Sequence, residues 1–252
     1  MMTREAIWEA ALKQSAIDCS CRETDFTLNR NIVTEAVPSD QARVYLDQPV
    51  LCHMVSYGTN VVATCRADLI PAIERYLSVE ERAFKRFEAP AIFELSDIIR
   101  EAGGMIFRQK NLYLPDPELV FGTTLSCGYR TREMHPADFK DLYLPEWRNA
   151  LSMNRPELDM LGYGAYDGDR LIGLAGCSRD CADMWQIGID VLPEYRRKGI
   201  ASTLTNLLAR GVFEREKIPF YGASWSNVRS VKNGLRSGFR PAWIEMTAEE
   251  AK

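Results

Sequence analysis

The sequence predicts an α/β protein in two parts: a C-terminal mixed, mostly antiparallel sheet with flanking helices, and an N-terminal α+β domain. Three observations predict it. Strand-like and helix-like segments alternate after residue 128 in the order β, α, β, β, β, α, β, α, β, which describes a layered arrangement rather than separate helical and strand halves. The 252 residues exceed the usual ~100 to 200 residues of one domain, so a boundary near the middle is expected. Finally, one strand runs directly into a basic loop and a long amphipathic helix between Ile187 and Ser202.

Taken in order, residues 1–18 place Arg4, Glu5, Glu9 and Lys13 at the spacing of an amphipathic helix. Residues 31–37, 51–55 and 60–64 are short and β-branched, with Gly58 between the last two, and read as strands. Apolar residues recur at helical spacing over 69–78 and 92–102, and Gly103-Gly104 is a helix stop. At Leu114-Pro115-Asp116-Pro117 the periodicity breaks, since two prolines so close exclude a continuing helix or central strand. The boundary therefore belongs between Pro115 and Leu125, giving domains 1–124 and 125–252.

In the second domain, 129–133 reads as a strand and 136–151 as a helix, or two short helices broken at Pro145. Residues 161–166 and 171–177 flank the Asp167-Gly168-Asp169 turn and form a hairpin. The run 184–192 is rich in isoleucine, valine and tryptophan and reads as a buried strand ending at Pro193. A helix over 199–217, a strand over 220–224, a helix over 227–237 and a strand over 240–246 complete the domain.

Composition narrows the function classes. Hydrophobic residues make up 46% of the chain and charged residues 26%, ordinary values for a protein that buries a core. A net charge of -4 offers no global attraction for nucleic acid or an anionic membrane, so neither is an expected partner. Seven scattered cysteines without a C-x-x-C pair fit free thiols in a reducing compartment, and a cytoplasmic location is expected. Cys19-x-Cys21 and Cys177-x3-Cys181 lack a second half-site, so no metal is expected.

The chemistry concentrates in Arg196-Arg197-Lys198-Gly199-Ile200-Ala201-Ser202. The first turn of the following helix leaves backbone N–H groups unsatisfied, and the macrodipole adds about half a positive charge there. Such an end holds anions. Gly199 and Ala201 let a diphosphate approach the backbone, while the three cations raise the local potential. Neither the phosphate loop of nucleotide hydrolases nor the dinucleotide glycine fingerprint is present.

Arg196-x-x-Gly199-x-Ala201 resembles the [QR]-x-x-G-x-[GA] pyrophosphate loop of the GNAT acetyltransferases. The flanks are similar too: Pro193-Glu194-Tyr195 before it, and Asn227, Ser230 and Gly238-Phe239 after it, at the family's spacing. The resemblance covers roughly residues 127–246 and implies a GNAT fold that moves an acetyl or other short acyl group from acyl-CoA to a primary amine of a small molecule, amino acid or peptide. It implies that the fourth and fifth strands splay and that Ile189, Asp190 and Val191 contact the pantetheine. Arg196, Arg197, Lys198, Gly199, Ile200, Ala201 and Ser202 would hold the diphosphate, with Asn227 and Ser230 nearby.

For proton transfer the family uses an acid residue on or near the fourth strand, and Asp183 is the local choice over Asp190. The family's tyrosine four residues before the Gly-Phe glycine falls on Gly234 here, leaving Tyr221, Ser230 or a water to protonate the leaving thiol. Trp147, Tyr163, Trp185, Tyr221 and Trp225 are candidates for an acceptor pocket, and Glu146, Glu157 and Asp159 for attracting a cationic amine; core packing and solvated loop charge are the competing readings. The missing tyrosine also leaves open a non-catalytic acyl-CoA-binding module. Residues 1–124 look like the front half of two-domain bacterial GNAT proteins, a resemblance that carries no function: a degenerate second copy, a lid and a homodimer surface all stay open.

Overall fold

The computed structural model describes residues 2–46, 48–79 and 82–251. It divides into two compact units, one of residues 1–8 and 113–241, the other of residues 9–112 and 242–252. The expected boundary at 124/125 therefore moves to 112/113, and residues after 241 join the second unit. Pro115 and Pro117 had suggested that boundary. The first is the last residue of a strand, β4 (Gly104–Pro115), and the second opens a short helix, α4 (Pro117–Gly122), where a proline has no helical N–H to lose.

In the first unit, strands β5 (Arg130–Met134), β6 (Asp159–Asp167), β7 (Arg170–Ser178), β8 (Met184–Val191) and β9 (Ile218–Ala223) lie in the order β9-β8-β7-β6-β5. Neighbours from β5 to β8 are antiparallel, and β8 pairs with β9 in parallel. Helix α5 (Ile200–Glu214) crosses one face of β6, β7 and β8. Its buried stripe, Ile200, Leu204, Leu208 and Val212, packs with Ile172, Ala175, Ile187 and Tyr221. Helix α6 (Val228–Arg236) joins the same face through Val231. Asn206 fastens α5 by donating to the carbonyls of Val120 and Ser237.

The opposite face carries short helical pieces in place of one long helix. Residues 136–151 form no α-helix; the alternative of two short helices is the one seen, as 3-10 helices over 136–139 and 145–147, the second opening at Pro145. Their apolar residues are anchored points rather than a helical stripe, with Phe139, Trp147, Ala150 and Leu151 packed on Leu174. Gly176 and Gly188, paired across β7 and β8, explain how the segment lies so close. A Cβ on Gly176 would stand 2.1 Å from the Ala150 carbonyl oxygen, and one on Gly188 would stand 1.7 Å from that of Asn149. Only glycine admits that approach.

In the second unit, strands β1 (Ile32–Glu35), β2 (Cys52–Ser56), β3 (Val62–Cys65) and β10 (Phe239–Glu250) join β4 in the order β1-β3-β2-β10-β4. The β1/β3 pair is parallel, and β2 is antiparallel to both β3 and β10. Helices α2 (Ile70–Ser78) and α3 (Ala89–Glu101) supply Ile73, Leu77, Leu95 and Ile99 to a core with Met54, Ala63 and Met246. The other prominent feature is a buried polar layer. Asp18, in helix α1 (Arg4–Asp18), pairs with Arg43, and Glu245 lies 3.6 Å from His53 Nε2 while accepting from the Tyr45 hydroxyl at 3.0 Å. Among the described residues no helix is long and apolar enough to cross a membrane.

Candidate functional site

The site grows out of the end of β8. Its pairing with β9 covers Met184 to Ile187, the last pair being Ile187 with Tyr221, although β8 continues to Val191. On the other side β8 stays paired with β7 through Val191. The Leu192 amide donates to the Ile172 carbonyl at 3.0 Å. Antiparallel alternation then turns the main-chain groups of Gly188 and Asp190 toward β7, and those of Ile189 and Val191 away from it. Beyond Ile187, therefore, β8 presents an unpaired strand edge on its β9 side. The Val191 carbonyl accepts from Arg196 Nε at 3.1 Å; the Ile189 amide and carbonyl and the Val191 amide have no partner among the described residues.

That edge leads into the basic loop. Arg197 and Gly199 both have positive φ, 65° and 80°, a kind of turn whose successive amides can form a concavity for an anion. The three cations do different work. Arg196 ties the loop to Val191. Lys198 donates to the Tyr129 hydroxyl at 3.1 Å and stands 5.0 Å from the Tyr195 ring centroid, boxed between two aromatics. Arg197 is exposed and has no ion pair among the described residues. Ser202 donates to the Gly199 carbonyl at 3.1 Å, Ile200 is buried in the core, and Ala201 stays small and half-buried at the mouth.

Two expected candidates meet. The hydroxyls of Tyr221 and Ser230 are 2.6 Å apart. The Tyr221 ring lies over Gly234, where a Cβ would stand 3.1 Å from its Cδ1. Gly234 thus leaves the family's tyrosine position empty, and a tyrosine from β9 fills the space. Burial raises the Tyr221 pKa above the ordinary phenol value, against the opposing effect of its bond to Ser230. Asn227 caps α6 by accepting from the Ser230 amide at 3.2 Å.

Other candidates are placed differently. Asp183 precedes β8, is 70% exposed, and pairs with Lys217 at 3.2 Å. Four residues separate it from Ile187, about 13 Å along a strand, which puts its carboxylate out of direct reach of the open edge. Asp190, expected beside the cofactor, instead accepts from the Asn149 amide at 2.7 Å, from Asn149 Nδ2 at 2.6 Å and from the Ala150 amide at 3.0 Å. Its side chain thus belongs to the 145–151 segment. Trp147 and Trp185 are core residues, Tyr163 bonds Glu133, and Trp225 is 63% exposed. Asp159 is buried and accepts from the Ser152 amide at 2.9 Å, while Glu146 and Glu157 are exposed. The Asp190 contacts and the Lys198 box escaped the sequence reading; the one signal for the first was a pair of glycines inside strands.

Residues 128–238 match the model of the Acetyltransferase (GNAT) family. That stretch is similar to a GNAT acetyltransferase domain. Solved structures similar to this chain include a putative GNAT-family acetyltransferase from Novosphingobium aromaticivorans, 18% identical over 60% of this chain and 69% of that one, with a TM-score of 0.46. A GCN5-related N-acetyltransferase-like protein from Streptococcus suis is 18% identical over 63% and 68%, with a TM-score of 0.47. A GCN5-related N-acetyltransferase from Kribbella flavida is 14% identical over 63% and 64%, with a TM-score of 0.49. No curated protein matches the chain. The match is to a family of acetyltransferases and specifies neither an acyl group nor an acceptor.

Proposed function

We propose that the enzyme moves an acetyl or other short acyl group from acyl-CoA to a primary amine of a small molecule, amino acid or peptide, by direct attack. The observation that carries this reading is the coincidence of the unpaired β8 edge with the concavity at the start of α5. The residues fit the ligand. The amides of Ile189 and Val191 would hold pantetheine as another strand would, and Arg197 with the amides from Gly199 to Ser202 would hold the diphosphate. Bound there, acyl-CoA supplies an activated carbonyl.

The protein's part is to position and to manage protons. Attack forms a C–N bond and breaks the C–S bond, so the amine loses a proton and the sulfur gains one. Tyr221 Oη, protonated at neutral pH and aligned by Ser230, holds a proton for the sulfur. With Asp183 paired to Lys217 and far down the strand, the amine enters neutral and its proton leaves through water. The binding-module alternative drew on the missing helix tyrosine, and the Tyr221 ring over Gly234 weakens it. The test is free-thiol release from acetyl-CoA with a panel of primary amines: release with any amine, lost in Arg197→Glu, supports the enzyme, and no release with any amine contradicts it.

A further inference from the structure

We infer that Asp190 is a positioning residue for the amine acceptor, acting through the main chain of Asn149. The inference rests on the acyl-transfer reading above. Helices α5 and α6 cover one face of the sheet where β8 and β9 part. An amine must therefore reach that opening from the opposite face, the face on which residues 147–151 lie. The Asn149 carbonyl oxygen sits directly against Gly188, the first β8 residue beyond the last β9 pair. No described group donates a hydrogen bond to it, although carbonyl oxygens readily accept.

One carboxylate holds it there. Asp190 takes three N–H donors from two consecutive residues, at 2.7, 2.6 and 3.0 Å. Charge-assisted bonds of this kind are shorter and stronger than neutral ones. Together they fix both position and orientation of a segment that has no helix or strand to hold it. A carbonyl fixed at the opening accepts one N–H of the incoming amine and leaves the nitrogen lone pair directed at the reacting carbon. A primary amine retains an N–H for that bond after its attacking geometry is set. Asp190 therefore governs acceptor affinity, and leaves cofactor affinity to the loop.

The test uses the full chain with spermidine, L-lysine and phenethylamine as acceptors, taking whichever gives the highest wild-type kcat/KM. Asp190→Ala and the near-isosteric Asp190→Asn are compared with Asn149→Ala, which removes one of the three bonds and keeps both amides. Expected is a rise in amine KM of about tenfold for Asp190→Ala and less for the other two, with kcat and the calorimetric CoA Kd within twofold of wild type. Amide exchange at Asn149 and Ala150 should also quicken in the unliganded variant. An unchanged amine KM in both Asp190 variants, or a CoA Kd that weakens as much as KM rises, overturns the inference and leaves the acyl-transfer reading standing. No turnover by wild type with any of the three amines, together with no CoA binding, overturns both.

Discussion

The hydroxyl of Tyr221, on β9, lies 2.6 Å from that of Ser230, on α6, with the tyrosine ring seated over Gly234. Replacing the hydroxyl alone separates proton donation from packing, because Tyr221→Phe keeps the ring. Acid assistance contributes ~100 to 10,000-fold in general, less when the leaving group is a thiol that ionises readily. Tyr221→Phe should lower kcat by about 10-fold or more with the CoA Kd unchanged, and Ser230→Ala should lower it less. Equal kcat in wild type and Tyr221→Phe removes the tyrosine from the reaction.

Asp183 pairs with Lys217 at the far end of β8. Asp183→Asn should keep kcat/KM within about threefold, because general-base loss typically costs far more. The rate should rise with pH until the amine is fully neutral and follow the acceptor's own pKa. Because burial raises the Tyr221 pKa, no loss from its ionisation is expected below the ordinary phenol range near ~10. A loss of tenfold or more in Asp183→Asn makes that carboxylate the proton acceptor, through water.

The loop separates strain from binding. Arg197 has φ 65° without being glycine, a conformation that costs an L-residue roughly 1 to 2 kcal/mol. Arg197→Gly relieves this and loses about 0.5 to 1 kcal/mol of backbone entropy, so stability should rise by about 0.5 kcal/mol. CoA affinity should nevertheless fall about tenfold. Gly199→Ala tests the converse: a Cβ meets nothing closer than the Ser126 carbonyl oxygen at 3.5 Å, so its loss of stability is conformational rather than steric. Calorimetry and thermal unfolding on the two variants check both effects.

Much of this loop was legible because its chemistry is local: a strand, cations, a glycine and a helix in sequence order. The hairpin of β6 and β7 was equally plain. Strand β4 was not, because Arg108, Gln109, Lys110 and Asn111 interrupt any alternation and Pro115 closes it. Residues 136–151 carry enough apolar side chains to suggest a helix, but each is claimed by a separate contact with the sheet. The Asp190 bonds join residues about 40 positions apart, and the only local mark of them is the glycine two residues before, at 188. Gly234 was legible as a missing tyrosine, whereas its replacement from β9 needed the packing.

In the second unit, Glu245 is buried, yet the neighbouring His53, with Lys110 and Arg43, outweighs the upward effect of burial and lowers its pKa. A folded value below the unfolded one, near ~4.3, contributes stability that is complete above that pH and is lost as pH falls through the folded value. Glu245→Gln should cost about 1 to 3 kcal/mol at pH 7. The difference from wild type should shrink below about pH 4. Urea unfolding at several pH values checks the sign; a deficit that grows toward acid contradicts it.

The central claim is that the open edge of β8 and the start of α5 form one acyl-CoA site, and amide hydrogen exchange with and without CoA tests it most directly. The Ile189 and Val191 amides have no strand partner, and the amides from Arg197 to Ser202 precede or open the helix, so all should exchange readily in the free protein. Added CoA should slow exchange at both strand amides and across the loop together, more than elsewhere in the chain. Protection confined to other residues, or none at millimolar CoA, would contradict the account.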